Sequence, residues 1–290
     1  MEIVRTAARM RAIAEEARAA GRAMGLVPTM GALHEGHFSL VRAGQAESSP
    51  VAVSIFVNPT QFGPHEDFEK YPRVFEKDVA ALESLGVDFV FAPSPAEMYP
   101  AGFGTSVTVE GLSERLEGRA RPGHFRGVAT VVLKLFEIAA PRSAYFGRKD
   151  AQQLRIIERM ARDLNLGVRV VACPIVREAD GIALSSRNAY LSAEERRAAA
   201  VLYRALDGAR RRIAAGETDA KQIAEEAGRT IGEEKTVRLE YAEIVEADDF
   251  QPVERLGSRN LLLLAAIVGR TRLIDNALIE EKEGAFQTTV

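Results

Sequence analysis

A single cysteine, Cys173, is all the thiol chemistry this 290-residue chain possesses, which excludes an intramolecular disulfide and any metal site built from several cysteines. Histidine is nearly as scarce, with four in all, so a histidine-rich metal cage has little to draw on. Charge of one sign is missing too. The 38 Lys and Arg against 41 Asp and Glu leave a formal net charge of −3, which gives no overall pull toward nucleic acid or an anionic membrane surface. Any anion site has to be built locally. Apolar runs of membrane-spanning length are absent, since LLLLAAIVG at 261–269 is about half of what a spanning helix needs. The opening stretch, MEIVRTAARMRAIAEEARAAG, mixes charges throughout and lacks the apolar core of a signal peptide. A soluble, unexported protein is expected, with no nucleic-acid or membrane partner, and a reducing cytoplasm fits its cysteine usage.

What is present is an ordinary globular composition, 47% hydrophobic and 27% charged, in a chain long enough for one large domain or for a larger and a smaller one. The first 21 residues read as an amphipathic helix ended by Gly21, followed by a buried strand from Met24 to Pro28. Helix and strand then alternate. Phe38 to Ala46 is helical, Val51 to Val57 a strand, Pro72 to Gly86 a helix and Val87 to Phe91 a strand; later come helical Gly127–Ala139, strand Ala144–Phe146, helical Ala151–Asn165 and strand Val168–Ala172. This alternation predicts an α/β, Rossmann-like parallel sheet with helices on both faces.

The texture changes after Arg187. Ser192-Ala-Glu-Glu195 forms a capping box before a long Ala/Arg-rich helix, a second helix spans about 220–232, and three strand-like runs follow at Arg238–Val245, Leu261–Val268 and Arg272–Ile279. A smaller α+β C-terminal domain is expected, with its boundary between 175 and 190 and a loose tail from Lys282.

Four segments carry candidate chemistry. PTMGALHEGH at 28–37 lies where the first predicted strand delivers its chain to a helix, the edge at which open α/β sheets bind ligands. Gly31 and Gly36 allow close backbone approach, a helix starting near His37 offers N–H groups to phosphate, and His34 and His37 are spaced to face one anion. Two surface histidines beside a turn would show the same spacing, whereas the zinc-protease motif requires H-E-x-x-H. VSIFVNPTQF at 53–62 ends a buried strand in Asn58 and Gln61, amides suited to a small polar substrate or to tying down a loop, with Phe62 as an apolar wall. In AYFGRKDAQQ at 144–153, Asp150 reads as an N-cap with Gln153 at the capping-box position, and Lys149 stands beside that terminus as a point charge for phosphate. In VREADGIALSSRN at 176–188, Ser185, Ser186 and Arg187 bring two hydroxyls and a guanidinium together. Arg121 and His124, in RPGHFRGV at 121–128, add further positive character.

In combination and in this order, the histidine segment, the G-R-K-D segment, the S-S-R segment and the intervening VNPTQF, RPGHFRGV and READGIALSSRN strings resemble the pantothenate synthetase (pantoate–β-alanine ligase) family along nearly the whole chain. The resemblance implies a nucleotide- and pantoate-binding domain over 1–180 and a smaller domain over 181–290 that covers the active site, assembled as a homodimer. It implies ATP with Mg²⁺, attack of the pantoate carboxylate on the α-phosphorus, loss of pyrophosphate, and attack of β-alanine on the pantoyl-adenylate. Residue by residue, it places Met30, Gly31, Ala32, Leu33, His34, Glu35, Gly36 and His37 in the ATP-binding segment. His37 falls at the catalytic-acid position, with His34 and Lys149 on the phosphates. Gly147, Arg148, Lys149, Asp150, Val176, Leu184, Ser185, Ser186 and Arg187 match the remaining nucleotide contacts. Gln61 and Gln153 match the pantoate-binding amides, with Asn58 near enough to assist, and no residue is implied as a dedicated metal ligand. A nucleotidyltransferase moving AMP onto a phosphate ester, an aminoacyl-tRNA synthetase fragment and a catalytically silent nucleotide-binding module are the competing readings.

Overall fold

A computed structural model describes residues 1–64 and 66–290, which divide into two compact units, Met1–Pro174 and Ile175–Val290. The first contains strands β1 (Glu2–Val4), β2 (Gly25–Thr29), β3 (Val51–Ile55), β4 (Phe89–Phe91), β5 (Ser143–Gly147) and β6 (Arg169–Cys173). Its helices are α1 (Ala7–Ala19), α2 (Glu35–Glu47), α3 (Phe75–Ser84), α4 (Pro95–Met98), α5 (Leu116–Ala120), α6 (His124–Ala139) and α7 (Ala151–Asp163). All six strands pair in parallel, in the order β1-β4-β3-β2-β5-β6. The chain winds outward from β2 through β3 and β4, then returns to the other side of β2 with β5. A crevice opens at such a reversal, outside the carboxyl ends of the strands.

Burial follows from that layering. Strands β3 and β5 are buried at four successive residues, the mark of a sheet covered on both faces. On one face Val27, Val51, Val53 and Val90 pack with Leu40 and Val41 of α2 and Leu82 of α3. On the other, Phe146 of β5 meets Phe136 of α6 edge-on at 6.3 Å, and α6 packs with α1 and α7. Strand β2 pairs with β3 along its whole length but with β5 only at Gly25 and Leu26. Pro28, which has no N–H to leave unpaired, falls beyond that pairing, where the two strands part.

The second unit is an antiparallel sheet in the order β10-β9-β8-β7, built from β7 (Val237–Glu246), β8 (Arg259–Val268), β9 (Thr271–Lys282) and β10 (Ala285–Thr289), with helices α8 (Ala193–Ala199), α9 (Val201–Ala214) and α10 (Ala220–Gly232). Leu262, Leu264, Ala266 and Ile279 of the sheet share one core with Leu202, Leu206, Ile223 and Ile231 of the helices. The Ser192–Glu195 capping box forms as expected.

Three sequence expectations are corrected. The opening 21 residues are not one helix: Glu2–Val4 pairs with β4, and Thr6 then caps α1 by accepting from the Arg9 amide. The tail is not loose, because Glu283 and Gly284, at φ 53° and 79°, turn the chain back so that β10 pairs with β9, the positive-φ pair a two-residue hairpin demands. The long helix after Ser192 is two, interrupted at Ala200.

Candidate active site

Three loops leave the carboxyl ends of the adjacent strands β3, β2 and β5, and they carry most of the candidate residues. Thr29, the last residue of β2, donates its hydroxyl to the Ser54 carbonyl at 2.7 Å and accepts from the Gly31 amide at 3.2 Å, fixing the exit of the histidine loop. Gly31 and Ala32 then both take left-handed conformations, φ 81° and 51°. Alanine rarely adopts this region and has to be held there. What holds it is Asp78 of α3, whose carboxylate oxygens accept one hydrogen bond each from the Ala32 and Leu33 amides, both at 2.8 Å. Burial raises the Asp78 pKa, and these amide bonds work against that rise.

Asp78 was not legible as a site residue, and it changes how the loop works. Amides in such a turn commonly cradle phosphate. Here two of them are already committed to an internal carboxylate. We expect Asp78→Asn, which keeps the shape but turns a donor toward an amide N–H, to lower ATP-dependent turnover about tenfold or more. Its melting temperature should fall only modestly. Unchanged turnover would remove Asp78 from the site.

Helix α2 begins at Glu35, two residues before His37, and the histidines themselves form its capping box. His34 Nδ1 accepts from the Gly36 amide at 3.2 Å, and His37 Nδ1 accepts from the His34 amide at 3.3 Å. An amide only donates, so in both neutral rings Nδ1 is the bare nitrogen and the proton sits on Nε2. The rings stand 4.1 Å apart between centroids. Capping therefore uses the Nδ1 edge of each imidazole, with the Nε2–H on the opposite edge. Burial, followed by electrostatic coupling to His34 and by the positive field of Lys149, lowers the His37 pKa to about 3. His37 is thus a neutral N–H donor at physiological pH, and Lys149 on the β5 loop is close enough for its charge to be felt there.

The β5 loop departs from expectation in one respect. Asp150 occupies the N-cap position of α7 but makes no side-chain capping hydrogen bond, so the Asp150–Gln153 capping box does not form. A 3-10 turn, Arg148–Asp150, intervenes. The Asp150 carboxylate lies 3.7 Å from the Lys149 ammonium instead, and Gln153 sits partly buried in the first turn of α7. The charge of Arg148 is felt at Cys173 of β6, whose pKa burial raises and Arg148 pulls back. Gly147 is informative because nothing in the protein requires it: its φ of −75° suits any residue, and an added Cβ would meet no atom within 4 Å. The space beside it is open. Gly147→Val should fold with an unchanged melting temperature yet raise the KM for ATP about tenfold or more; an unchanged KM would show that the space is not used.

On the β3 loop Asn58 is 1% exposed and its amide is fully engaged. Nδ2 donates to Gln61 Oε1 and to the Gly127 carbonyl, both at 3.1 Å, while Oδ1 accepts from the Tyr99 hydroxyl at 2.7 Å and the Thr60 hydroxyl at 2.9 Å. Asn58 orients Gln61. Gln61 Nε2 rests on Met30 Sδ at 3.0 Å, a weak acceptor that a substrate oxygen readily replaces.

The remaining candidates belong to the second unit. Val176 and Leu184 are joined, Leu184 N–H to Val176 O at 2.9 Å, closing a hairpin that turns at Gly181. Ser185 caps the following 3-10 turn, accepting from the Arg187 amide at 3.3 Å. Arg177 braces the hairpin with a double hydrogen bond to Asp275, at 2.7 and 2.9 Å, and a bond to the Gly181 carbonyl at 2.9 Å.

A parallel doubly wound sheet with a glycine-histidine loop at its switch point defines the first unit as a Rossmann-like α/β domain of the kind that takes ligands at its carboxyl edge. Residues 2–278 match the family Pantoate-beta-alanine ligase, and the chain belongs to that family. It is 51% identical over 280 residues, 97% of this chain and 100% of the relative, to the pantothenate synthetase of Acetivibrio thermocellus. It is 57% identical over 266 residues, 92% of this chain and 89% of the relative, to that of Acidobacterium capsulatum. Among solved structures, pantothenate synthetase from Thermus thermophilus superposes with a TM-score of 0.90 at 45% identity, covering 95% of this chain and 98% of that one. Pantoate-beta-alanine ligase from Francisella tularensis, complexed with beta-gamma ATP and β-alanine, does so with a TM-score of 0.78 at 34% identity, covering 95% and 97%.

Proposed function

We propose that this chain condenses pantoate with β-alanine at the expense of ATP, through a pantoyl-adenylate, releasing AMP and pyrophosphate. The observation that carries the proposal is the coupling, at the switch-point edge of a chain of this family, of the His34–His37 pair with the Lys149 charge, beside a loop whose Met30 carries the Gln61 amide. The pantoate carboxylate supplies the nucleophile and ATP the activated phosphorus, so no protein nucleophile is needed. The protein has to hold two anions in line and neutralise charge as pyrophosphate departs.

In this reading the Nε2–H of His37 donates to phosphate oxygen as negative charge accumulates, with His34 beside it and Lys149 supplying a full positive charge. Met30–His37, Gly147–Asp150, Val176 and Leu184–Arg187 contact the nucleotide, with Ser185, Ser186 and Arg187 on its phosphates. Gln61 and Gln153 bind pantoate. Among the described residues no group of three or more His, Cys, Asp or Glu side chains is placed to hold a metal. MgATP, with Mg²⁺ on phosphate oxygens, is the proposed substrate form.

A homodimer and a cytoplasmic location belong to the same proposal. No helix among the described residues is long and apolar enough to cross a membrane. Incubation of the purified chain with MgATP, pantoate and β-alanine should yield pantothenate and AMP in equal amounts, with neither formed when pantoate is omitted. AMP that appears only with a phosphorylated acceptor would overturn the reading.

A further inference from the structure

In sequence, Arg121 and His124 read as added positive character; in the structure neither offers it. The Arg121 guanidinium is spent on Glu66, Nε to Oε1 at 2.8 Å and Nη2 to Oε2 at 2.5 Å. Burial raises the Glu66 pKa, but the Arg121 hydrogen bond and charge outweigh it and hold the carboxylate below its ordinary value. The remaining guanidinium arm, Nη1, lies 3.1 Å from His124 Nε2, and His124 Nδ1 lies 2.8 Å from the Gln61 carbonyl.

The chemistry of the two ends fixes the middle. A guanidinium has only donors, so Nε2 accepts; a carbonyl has only lone pairs, so Nδ1 carries the proton and donates. His124 is therefore held as the Nδ1–H tautomer, opposite to His34 and His37. Burial, then the Arg121 charge, lowers its pKa to about 4, which keeps it in that form. Helix α6 also presses on the same turn at Gly127, where an added Cβ would lie 2.4 Å from the Thr60 carbonyl. Gln61 is thus gripped at its carbonyl by His124 and at its side chain by Asn58, leaving its Nε2–H on the weakly accepting Met30 sulfur.

We infer that Glu66, Arg121 and His124 form a positioning relay that sets Gln61, so that His124 governs pantoate affinity without touching pantoate. The inference rests on the reading of Gln61 as a pantoate ligand. A side chain is a useful ligand only when its rotamer is fixed by a supporting shell, and a lost support costs affinity for the group it aims at while sparing others.

The test measures KM for pantoate and for ATP in the full chain with Mg²⁺, using His124→Leu, His124→Asn, Gln61→Ala and the double variant His124→Leu/Gln61→Ala. His124→Leu should raise the pantoate KM about tenfold and change the ATP KM less than about twofold. His124→Asn, which places a donor near the Nδ1 position, should recover most of the loss. In the Gln61→Ala background the leucine substitution should add nothing. A His124→Leu enzyme with both KM values raised equally, or with neither raised, overturns the relay, as does a full additional loss in the double variant. Gln61→Ala with a normal pantoate KM sinks the Gln61 reading itself, whereas a raised KM there beside an inert His124→Leu sinks the relay alone. Should His124→Leu fail to fold, ¹⁵N spectra of the native imidazoles decide: the Nδ1–H form at His124 is expected, and the Nε2–H form would contradict it.

Discussion

Replacing His37 with alanine lowers the rate of pantoate-dependent pyrophosphate release about a hundredfold or more while the fold survives. The expectation follows from how the ring is held. Its Nδ1 is occupied by the His34 amide at 3.3 Å, its pKa is about 3, and the proton that remains is on Nε2. A neutral, partly buried donor fixed by a helix cap stabilises charge that develops only in the transition state. Alanine also removes half of the capping box, so a stability loss of about 1 kcal/mol is expected alongside, far too small to mimic the rate effect. His37→Gln, which restores an N–H, should recover part of the rate. An unchanged release rate in His37→Ala would remove the residue from the chemistry.

The same ring makes a pH prediction with a definite sign. His37 in the folded chain titrates near 3 against an ordinary value of 6.5, and His124 near 4. As pH falls, the unfolded chain takes up these protons first. The stability gained by keeping both rings neutral is complete above about pH 6.5 and drains away toward pH 3–4, by up to about 1.4 kcal/mol per pH unit for each ring. The His37→Ala variant should lose stability less steeply over that range.

Asp275→Ala has the largest expected effect on stability, about 3–5 kcal/mol, because it strands a buried charge. The side chains of Arg177 and Asp275 are 12% and 2% exposed and joined by two short hydrogen bonds. Arg177 also lies 5.3 Å from the Tyr203 ring centre, and Gly181, at φ 90°, would drive any Cβ to within 2.1 Å of that ring. Loss of the carboxylate should lower the melting temperature by several degrees and reduce ATP-dependent turnover, since the hairpin carries Val176 and Leu184–Arg187, the proposed nucleotide contacts. Asp275→Asn, retaining one acceptor, should fall in between. A melting temperature unmoved by Asp275→Ala would show that Arg177 finds another partner.

Strands β2, β3 and β5 were legible because burial on both faces leaves continuous apolar runs, each broken by a glycine- or proline-containing loop. Strand β1 is three residues long and β10, AFQTT, has Phe286 as its one large apolar residue, so each becomes a strand only through its partner, β4 or β9. The histidine loop stood out through residue type and strand-end position, whereas Gln61 and Lys149, which alone read equally as a loop tie and a solvated charge, were singled out by the family resemblance. Their supports did not stand out. Asp78 is one more charge on a short helix until the fold brings it to amides 45 and 46 residues earlier. Histidine is an unusual N-cap, so nothing in the string HEGH announced that one edge of each ring closes a helix. Arg121 looked cationic because Glu66, 55 residues away, is paired with it only in the folded chain.

The most direct test of the account follows an oxygen atom. With pantoate labelled by ¹⁸O in its carboxylate, adenylate formation followed by β-alanine attack must leave one labelled oxygen on the phosphate of the released AMP. Mass spectrometry of the nucleotide product should find that single label. Label in orthophosphate with ADP as the nucleotide product, or unlabelled AMP, would contradict activation of pantoate at the α-phosphorus and with it the role assigned to the His34–His37 loop.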